Sequence, residues 1–233
     1  RHEVAWPDER RRRNRKINLR PGHFVASISP AAVLIRDMFF GLFTISAVCF
    51  GAGFLITLVR GGDVRSTPQA RIFLFLSLAL VVGPGLVANV LLKDHLGRAR
   101  PHHVDTFGGA RSFSPAFMPS DQCARNCSFV GGESSSAFML LFAVALIARR
   151  RRHLLVMAGI AAGGTIGAVR ILQGAHFLSD ILASGALMWT VAVAMHWMVF
   201  APHGLWPVRL GGMQGIRVRL SSSLAVSAKP DAA

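Results

Sequence analysis

Five apolar segments dominate this chain of 233 residues, and each approaches the roughly 20 residues that a helix needs to span a bilayer. With 52% hydrophobic residues and a mean hydropathy of +0.45, the sequence predicts an all-α fold, a polytopic bundle of membrane helices. Because the chain begins at Arg1, without Met or a signal sequence, we expect a sixth span upstream in the complete protein. The five predicted spans are residues 38–59, 72–92, 132–148, 154–169 (of marginal length) and 181–200.

These spans divide the chain into three parts. Residues 1–37 are predicted to be a basic N-terminal connector or tail, and residues 38–206 the membrane-embedded domain. Residues 207–233, rich in Ser, Ala and Gly, are predicted to be a flexible C-terminal tail. Counting the spans places residues 1–37, the long loop 93–131 and the turn 170–180 on one face of the membrane.

The formal net charge of +15 would favour a nucleic-acid partner in a soluble protein. Here long apolar runs separate the basic clusters, so we expect no nucleic-acid partner. In a membrane protein the same charge anchors loops and attracts anionic lipids or phosphorylated substrates. Lys and Arg number 15 on the face of the long loop and 11 on the other face, or 6 against 11 without the N-terminal tail. The count alone therefore leaves the orientation open.

The long loop opens with KDHLGRARP, in which Lys93 and Arg100 are seven residues apart. If the second span continued as a helix up to Pro101, both cations would lie on one face. Two cations at a membrane boundary suit a phosphate group, with Arg as a two-pronged donor. The alternative is that both are ordinary snorkelling anchors.

The same loop closes with NCSFVGGESSSAF, directly before the third span. Gly131 and Gly132 allow close backbone approach, and the free amides at a helix start favour an anion. The carboxylate of Glu133 is favourable near a helix N-terminus for structural reasons alone, but it is also placed to transfer a proton.

The stretch VRILQGAHFLSDILASG contains three ionisable residues, Arg170, His176 and Asp180. On one helix, the spacing of four would let Asp180 hold one ring nitrogen of His176 and leave the other free. Such a histidine can be a base, a nucleophile or a metal ligand, and a metal is disfavoured because no second His or Cys stands at ligand spacing. Together with the cations and the amides, it indicates a phosphoryl-transfer site.

These stretches resemble the three signatures of the type 2 phosphatidic acid phosphatase superfamily, K-x6-R-P, P-S-G-H and S-R-x5-H-x3-D. The first is matched completely, and the third is matched except that Val169 replaces its Ser. In the second, only Gly132 matches, and Glu133 stands where the family has His. This variant is similar to that of some bacterial members that act on lipid A or other envelope lipids.

The resemblance implies an integral membrane lipid phosphatase that hydrolyses a phosphomonoester or diphosphate of an envelope lipid without a metal or other cofactor. It implies His176 as the nucleophile that forms a phosphohistidine, Asp180 as its orienting residue and Glu133 in the position of the leaving-group acid. The phosphate-binding groups would be Lys93, Arg100, Arg170 and the amide of Gly132. The alternative is a non-catalytic membrane protein that binds phosphorylated lipids.

We expect the bacterial inner membrane as the location, with the site facing the periplasm; the oligomeric state stays open. In that oxidising compartment Cys123 and Cys127 can form a disulfide, since residues four apart in a helical turn bring their Cα atoms within bridging range. The alternative is two free thiols. Three histidines beside the first signature are alternative proton donors, although solvated loop positions explain them as well: His95, His102 and His103.

Overall fold

The computed structural model describes residue 24, residues 29–64 and residues 66–200. The predicted tail 207–233 and most of the predicted connector 1–37 lie outside these described residues. Within them the chain is helical, and the only β-structure is an isolated bridge between Val104 and Arg111. The predicted all-α fold is confirmed.

In the described part of the chain five helices form the membrane bundle, and four of them are long and apolar enough to cross a membrane. The third is shorter, with 16 residues, whereas the predicted marginal span, the fourth, is a full helix of 21 residues. Residues 149–151 form a 3-10 turn between these two helices. The helices are α1 (Pro30–Val59), α2 (Pro68–His95), α3 (Gly132–Ile147), α4 (Arg152–Leu172) and α5 (Leu178–Phe200).

Proline sets the start of the first two helices. Pro30 and Pro68 occupy first-turn positions, where the missing N–H costs nothing and the fixed φ angle suits the helix. Ser29 caps α1, because its Oγ accepts a hydrogen bond from the amide of Ala32 at 3.5 Å. The first helix therefore begins earlier than residue 38, where the apolar pattern alone placed it.

Helix α2 changes its winding around a proline. Val81–Leu92 is π-helical and contains Pro84, whose carbonyl accepts a hydrogen bond from Asn89 Nδ2 at 2.8 Å. The helix ends at His95, and the chain turns at Gly97 with a φ of +63°. The predicted helical continuation to Arg100 is wrong, because Gly97 takes the left-handed conformation and the chain beyond it is extended.

Helix α3 is the centre of the bundle. It contacts α1, α2 and α4 directly. The ring of Phe142 packs against Trp189 of α5, with centroids 5.3 Å apart. Phe138 lies against two glycines on neighbouring helices, Gly163 and Gly185. Small residues thus let the helices on either side approach the aromatic side chains of α3.

The adjacent glycines of α4 provide a test of this packing. A Cβ atom at Gly163 would lie 2.4 Å from the Phe138 ring, whereas at Gly164 it would meet nothing within 4 Å. We expect Gly163→Ala to destabilise the protein by about 1–3 kcal/mol through overpacking. Gly164→Ala should be neutral or stabilising by up to about 1 kcal/mol, because alanine favours helix. Thermal unfolding of both variants in one detergent checks this, and equal effects would contradict the packing.

Candidate active site

Four helix ends meet on the face of the long loop and bring the predicted site residues together. Lys93 lies in the last turn of α2, Gly132 and Glu133 in the first turn of α3, and Arg170 in the last turn of α4. The turn 173–177 and the first turn of α5 add the remaining two helix-end residues, His176 and Asp180.

His176 lies before α5 begins, and its side chain is buried. Its Nδ1 is 2.7 Å from the carbonyl oxygen of Ser128. Because a carbonyl only accepts, Nδ1 carries the proton and the neutral ring has a free lone pair on Nε2. Nε2 is buried and has no hydrogen-bond partner among the described residues. Burial lowers the pKa of His176, which favours the neutral ring at neutral pH.

Asp180 supports this histidine indirectly. Its carboxylate accepts hydrogen bonds from Ser128 Oγ at 2.6 Å and from the Phe177 amide at 2.9 Å. The Oδ2 atom is 3.7 Å from His176 Nδ1, which is too far for a hydrogen bond. The direct hydrogen bond that the sequence suggested is therefore replaced by a relay, in which Asp180 fixes Ser128 and the Ser128 carbonyl fixes the ring.

Arg98 is the buried partner of Asp180, and the sequence reasoning missed it. The two side chains form an ion pair, and both are almost fully buried. Arg98 also donates to Ser179 Oγ at 3.0 Å and stacks over the Phe177 ring at 4.2 Å. The available signal was a third cation between Lys93 and Arg100, which the phosphate-binding role predicted for those two residues did not explain.

Opposite charges surround the free nitrogen of His176. Glu133 Oε2 lies 3.9 Å from His176 Nε2, and Glu133 Oε1 lies 3.5 Å from Arg170. A Cβ atom at Gly132 would come within 2.7 Å of Lys93 Nζ, so this ammonium group lies against the start of α3. The first-turn amides of α3 have no acceptor within the helix. Cations, amides and a free imidazole nitrogen therefore converge on one buried point.

Arg100 reaches the same region from the extended segment after α2. It donates to the carbonyl and the side-chain oxygen of Asn126, each at 2.9 Å. Burial and the nearby charge of Arg170 lower the pKa of Arg100.

Cys123 and Cys127 form a disulfide with Cα atoms 5.7 Å apart. This loop is tied to α2, because the Cys127 amide donates to the carbonyl of Lys93 at 3.1 Å.

A cavity of about 190 Å³ adjoins this point on the membrane side. One wall comes from α1 and is aromatic, and the other walls come from α2 and α3. The cavity is partly open, and Phe40 in its α1 wall is 65% exposed. The lining residues are Phe39, Phe40, Asn89, Lys93, Gly132, Glu133 and Ser136.

The alternative proton donors have structural partners. His102 Nδ1 is 2.7 Å from the carbonyl oxygen of Gly174 and so holds the turn that precedes His176. His95 Nδ1 is 3.0 Å from the Val90 carbonyl oxygen. His103 packs against the His102 ring with centroids 4.1 Å apart. These contacts favour structural roles for all three.

A family profile described as PAP2 superfamily matches residues 72–203, more than half of the chain. The chain belongs to the PAP2 superfamily. It is 34% identical over 192 residues to the lipid A 4'-phosphatase of Francisella tularensis subsp. novicida, a match that covers 77% of this chain and 82% of that protein. Membership confirms the predicted family and, at the level of the family, a membrane lipid phosphate hydrolase.

Two further lipid A phosphatases share less of their length with this PAP2 chain. The lipid A 4'-phosphatase of Rhizobium etli is 36% identical over 148 residues, which cover 64% of this chain and 58% of that protein. The lipid A 1-phosphatase of the same species is 37% identical over 136 residues, or 55% and 54% of the two chains. The crystal structure of a transmembrane PAP2-type phosphatidylglycerolphosphate phosphatase from Bacillus subtilis aligns with a TM-score of 0.40 and 18% identity, over 74% of this chain and 83% of that one.

Removing Arg98 should destabilise the protein far more than removing Arg100. Arg98→Ala leaves the buried Asp180 carboxylate without its counterion, which is expected to cost about 3–5 kcal/mol. Arg100→Ala removes a partly exposed cation whose partners are neutral, so its cost should be clearly smaller. Thermal unfolding of the two variants in one detergent measures the difference. Equal losses would show that the ion pair does not hold the loop to α5.

Proposed function

We propose that this protein hydrolyses a phosphate monoester of a lipid A-type envelope lipid through a phosphohistidine on His176. The proposal rests on the buried Nε2 of His176, which has no hydrogen-bond partner among the described residues and lies 3.9 Å from Glu133, itself 3.5 Å from Arg170. Relatives named lipid A 4'-phosphatase and lipid A 1-phosphatase favour this substrate over other lipid phosphates.

In the first step, His176 Nε2 attacks phosphorus and the bond between phosphorus and the lipid oxygen breaks. Nδ1 keeps its proton and donates a hydrogen bond to the Ser128 carbonyl, which stabilises positive charge on the ring. Lys93, Arg100, Arg170 and the Gly132 amide stabilise the oxygens of the transferred group, and this electrostatic stabilisation is the main requirement of phosphoryl transfer. The reaction as proposed uses no metal ion.

Glu133 supplies the proton for the leaving lipid oxygen. Its carboxylate lies between Arg170 and His176, where the phosphate is proposed to bind. The arriving phosphate displaces it from Arg170, and Glu133 turns toward the cavity that it also lines. There it takes the remaining acidic proton of the phosphate monoester, which binds as the monoanion, and donates this proton to the leaving lipid oxygen. In the second step the carboxylate takes a proton from water, which attacks phosphorus, breaks the bond to Nε2 and releases phosphate.

We further propose that the protein lies in the bacterial inner membrane with this site on the periplasmic face. The Cys123–Cys127 disulfide supports this orientation, because disulfides persist in the periplasm and are rare in the cytoplasm. The disulfide loop lies on the same face as the site, since it is bonded to the end of α2.

His176→Ala should abolish phosphate release from lipid A in purified protein, because removal of a covalent nucleophile costs orders of magnitude in rate. His95→Ala, which removes a histidine bonded only to the backbone of α2, is the matched control and should retain activity. Acid-labile phosphate should be trapped on the wild-type chain after a rapid quench and not on His176→Ala. A residual rate above about a tenth of wild type in His176→Ala would contradict the nucleophile assignment.

Glu133→Gln should separate catalysis from phosphate affinity. The variant should lose activity strongly on lipid phosphates but only slightly on an activated aryl phosphate, whose leaving group needs little proton assistance. Its competitive inhibition by inorganic phosphate should become stronger, because no carboxylate competes for Arg170. Equal losses on both substrates with unchanged inhibition would instead indicate a structural role at the start of α3.

A further inference from the structure

We propose that the cavity beside the active site is a specificity subsite in which Asn89 accepts a hydrogen bond from the substrate. The ligand class is a phosphate monoester with an O–H or N–H on the carbon next to the phosphoester carbon. This inference rests on the proposed function, because it takes a lipid phosphate bound at Lys93 as its starting point.

Asn89 is the only polar side chain in Val81–Leu92. An amide at membrane depth is costly unless it has partners or a task. The NH₂ group of Asn89 has a hydrogen-bond partner, because Nδ2 donates to the Pro84 carbonyl at 2.8 Å. That bond also distinguishes Nδ2 from Oδ1, since the Pro84 carbonyl can accept a hydrogen bond only from the NH₂ group. The Oδ1 atom accepts no hydrogen bond from the part of the chain that the structure describes.

The free oxygen lies beside the phosphate-binding groups. A Cβ atom at Gly132 would come within 2.8 Å of Asn89 Oδ1 and 2.7 Å of Lys93 Nζ, so both atoms lie against the same glycine. Asn89 and Lys93 are four residues apart on α2 and so share one face of the helix. A phosphate held by Lys93 therefore places the carbon atoms of its ester near Asn89 Oδ1.

The shape of the cavity fits the first atoms of a leaving group. Glu133, the proposed acid, lines the same cavity, so the oxygen that it protonates must lie on this side. A volume of about 190 Å³ holds a small head-group unit and no whole lipid. Phe39 and Phe40 form the opposite, apolar wall, past which the lipid chains reach the bilayer. The leaving group thus meets one hydrogen-bond acceptor and one apolar surface.

The test compares two synthetic lipid phosphates of equal chain length, a 1-alkylglycerol 3-phosphate and its 2-deoxy analogue. They differ only in the hydroxyl beside the phosphoester carbon. Wild-type protein in mixed micelles should show a higher kcat/KM for the hydroxylated lipid, by about fivefold or more, as expected for one added hydrogen bond. Asn89→Ala should bring the ratio of the two kcat/KM values close to one.

Phe40→Ala is the matched control variant, because it alters the same cavity without changing its hydrogen-bonding groups. It should lower kcat/KM for both lipids and leave their ratio unchanged. A merely structural role of Asn89 at Pro84 would lower both rates together and would contradict the proposal. If Asn89→Ala does not fold, the wild-type comparison alone decides, and a ratio near one would overturn it. No phosphate release from either lipid or from lipid A would instead refute the proposed function.

Discussion

A buried ion pair between Arg98 and Asp180 joins the long loop to the start of α5, and the geometry of the site depends on it. Removing two charges from water is costly, and a buried pair is tolerated only when the remaining polar atoms find partners. Here Asp180 also accepts from Ser128 and from the Phe177 amide. Because the Ser128 carbonyl holds the His176 ring, the ion pair sets the position of a histidine that neither of its members contacts through a hydrogen bond.

The exchange of the family histidine for Glu133 changes the electrostatics of the site. Lys93 and Arg170 are both largely buried near one point, where like charges repel. A carboxylate at position 133 offsets this repulsion, as a neutral imidazole would not. On the proposed mechanism, the same carboxylate loses its ion pair with Arg170 when phosphate binds. On that mechanism, the ion pair that stabilises the site lowers its affinity for phosphate.

Most of the fold could be predicted because the length and polarity of apolar segments are local properties of the sequence. Helix ends were less predictable, since they depend on single residues such as Ser29 and Gly97. The matched signatures named the charged residues that the structure brings together. Arg98 and Ser128 were missed for a physical reason. Their contacts are set by the path of the loop backbone, and a backbone carbonyl that holds a histidine leaves no trace in the side-chain pattern.

The position of the site at the helix ends follows from the physics of an amphipathic substrate. Pulling a lipid fully out of the bilayer would expose acyl chain to water at about 0.8 kcal/mol per CH₂ group. On the proposed mechanism, a cavity that opens between α1, α2 and α3 avoids this cost, because the chains can stay among lipids while the phosphate binds at Lys93 and Arg170. The outward face of α1 is apolar and exposed, which suits contact with lipid on that side. The polar loop, held by Arg98 and the disulfide, then needs to contribute only the charged half of the site.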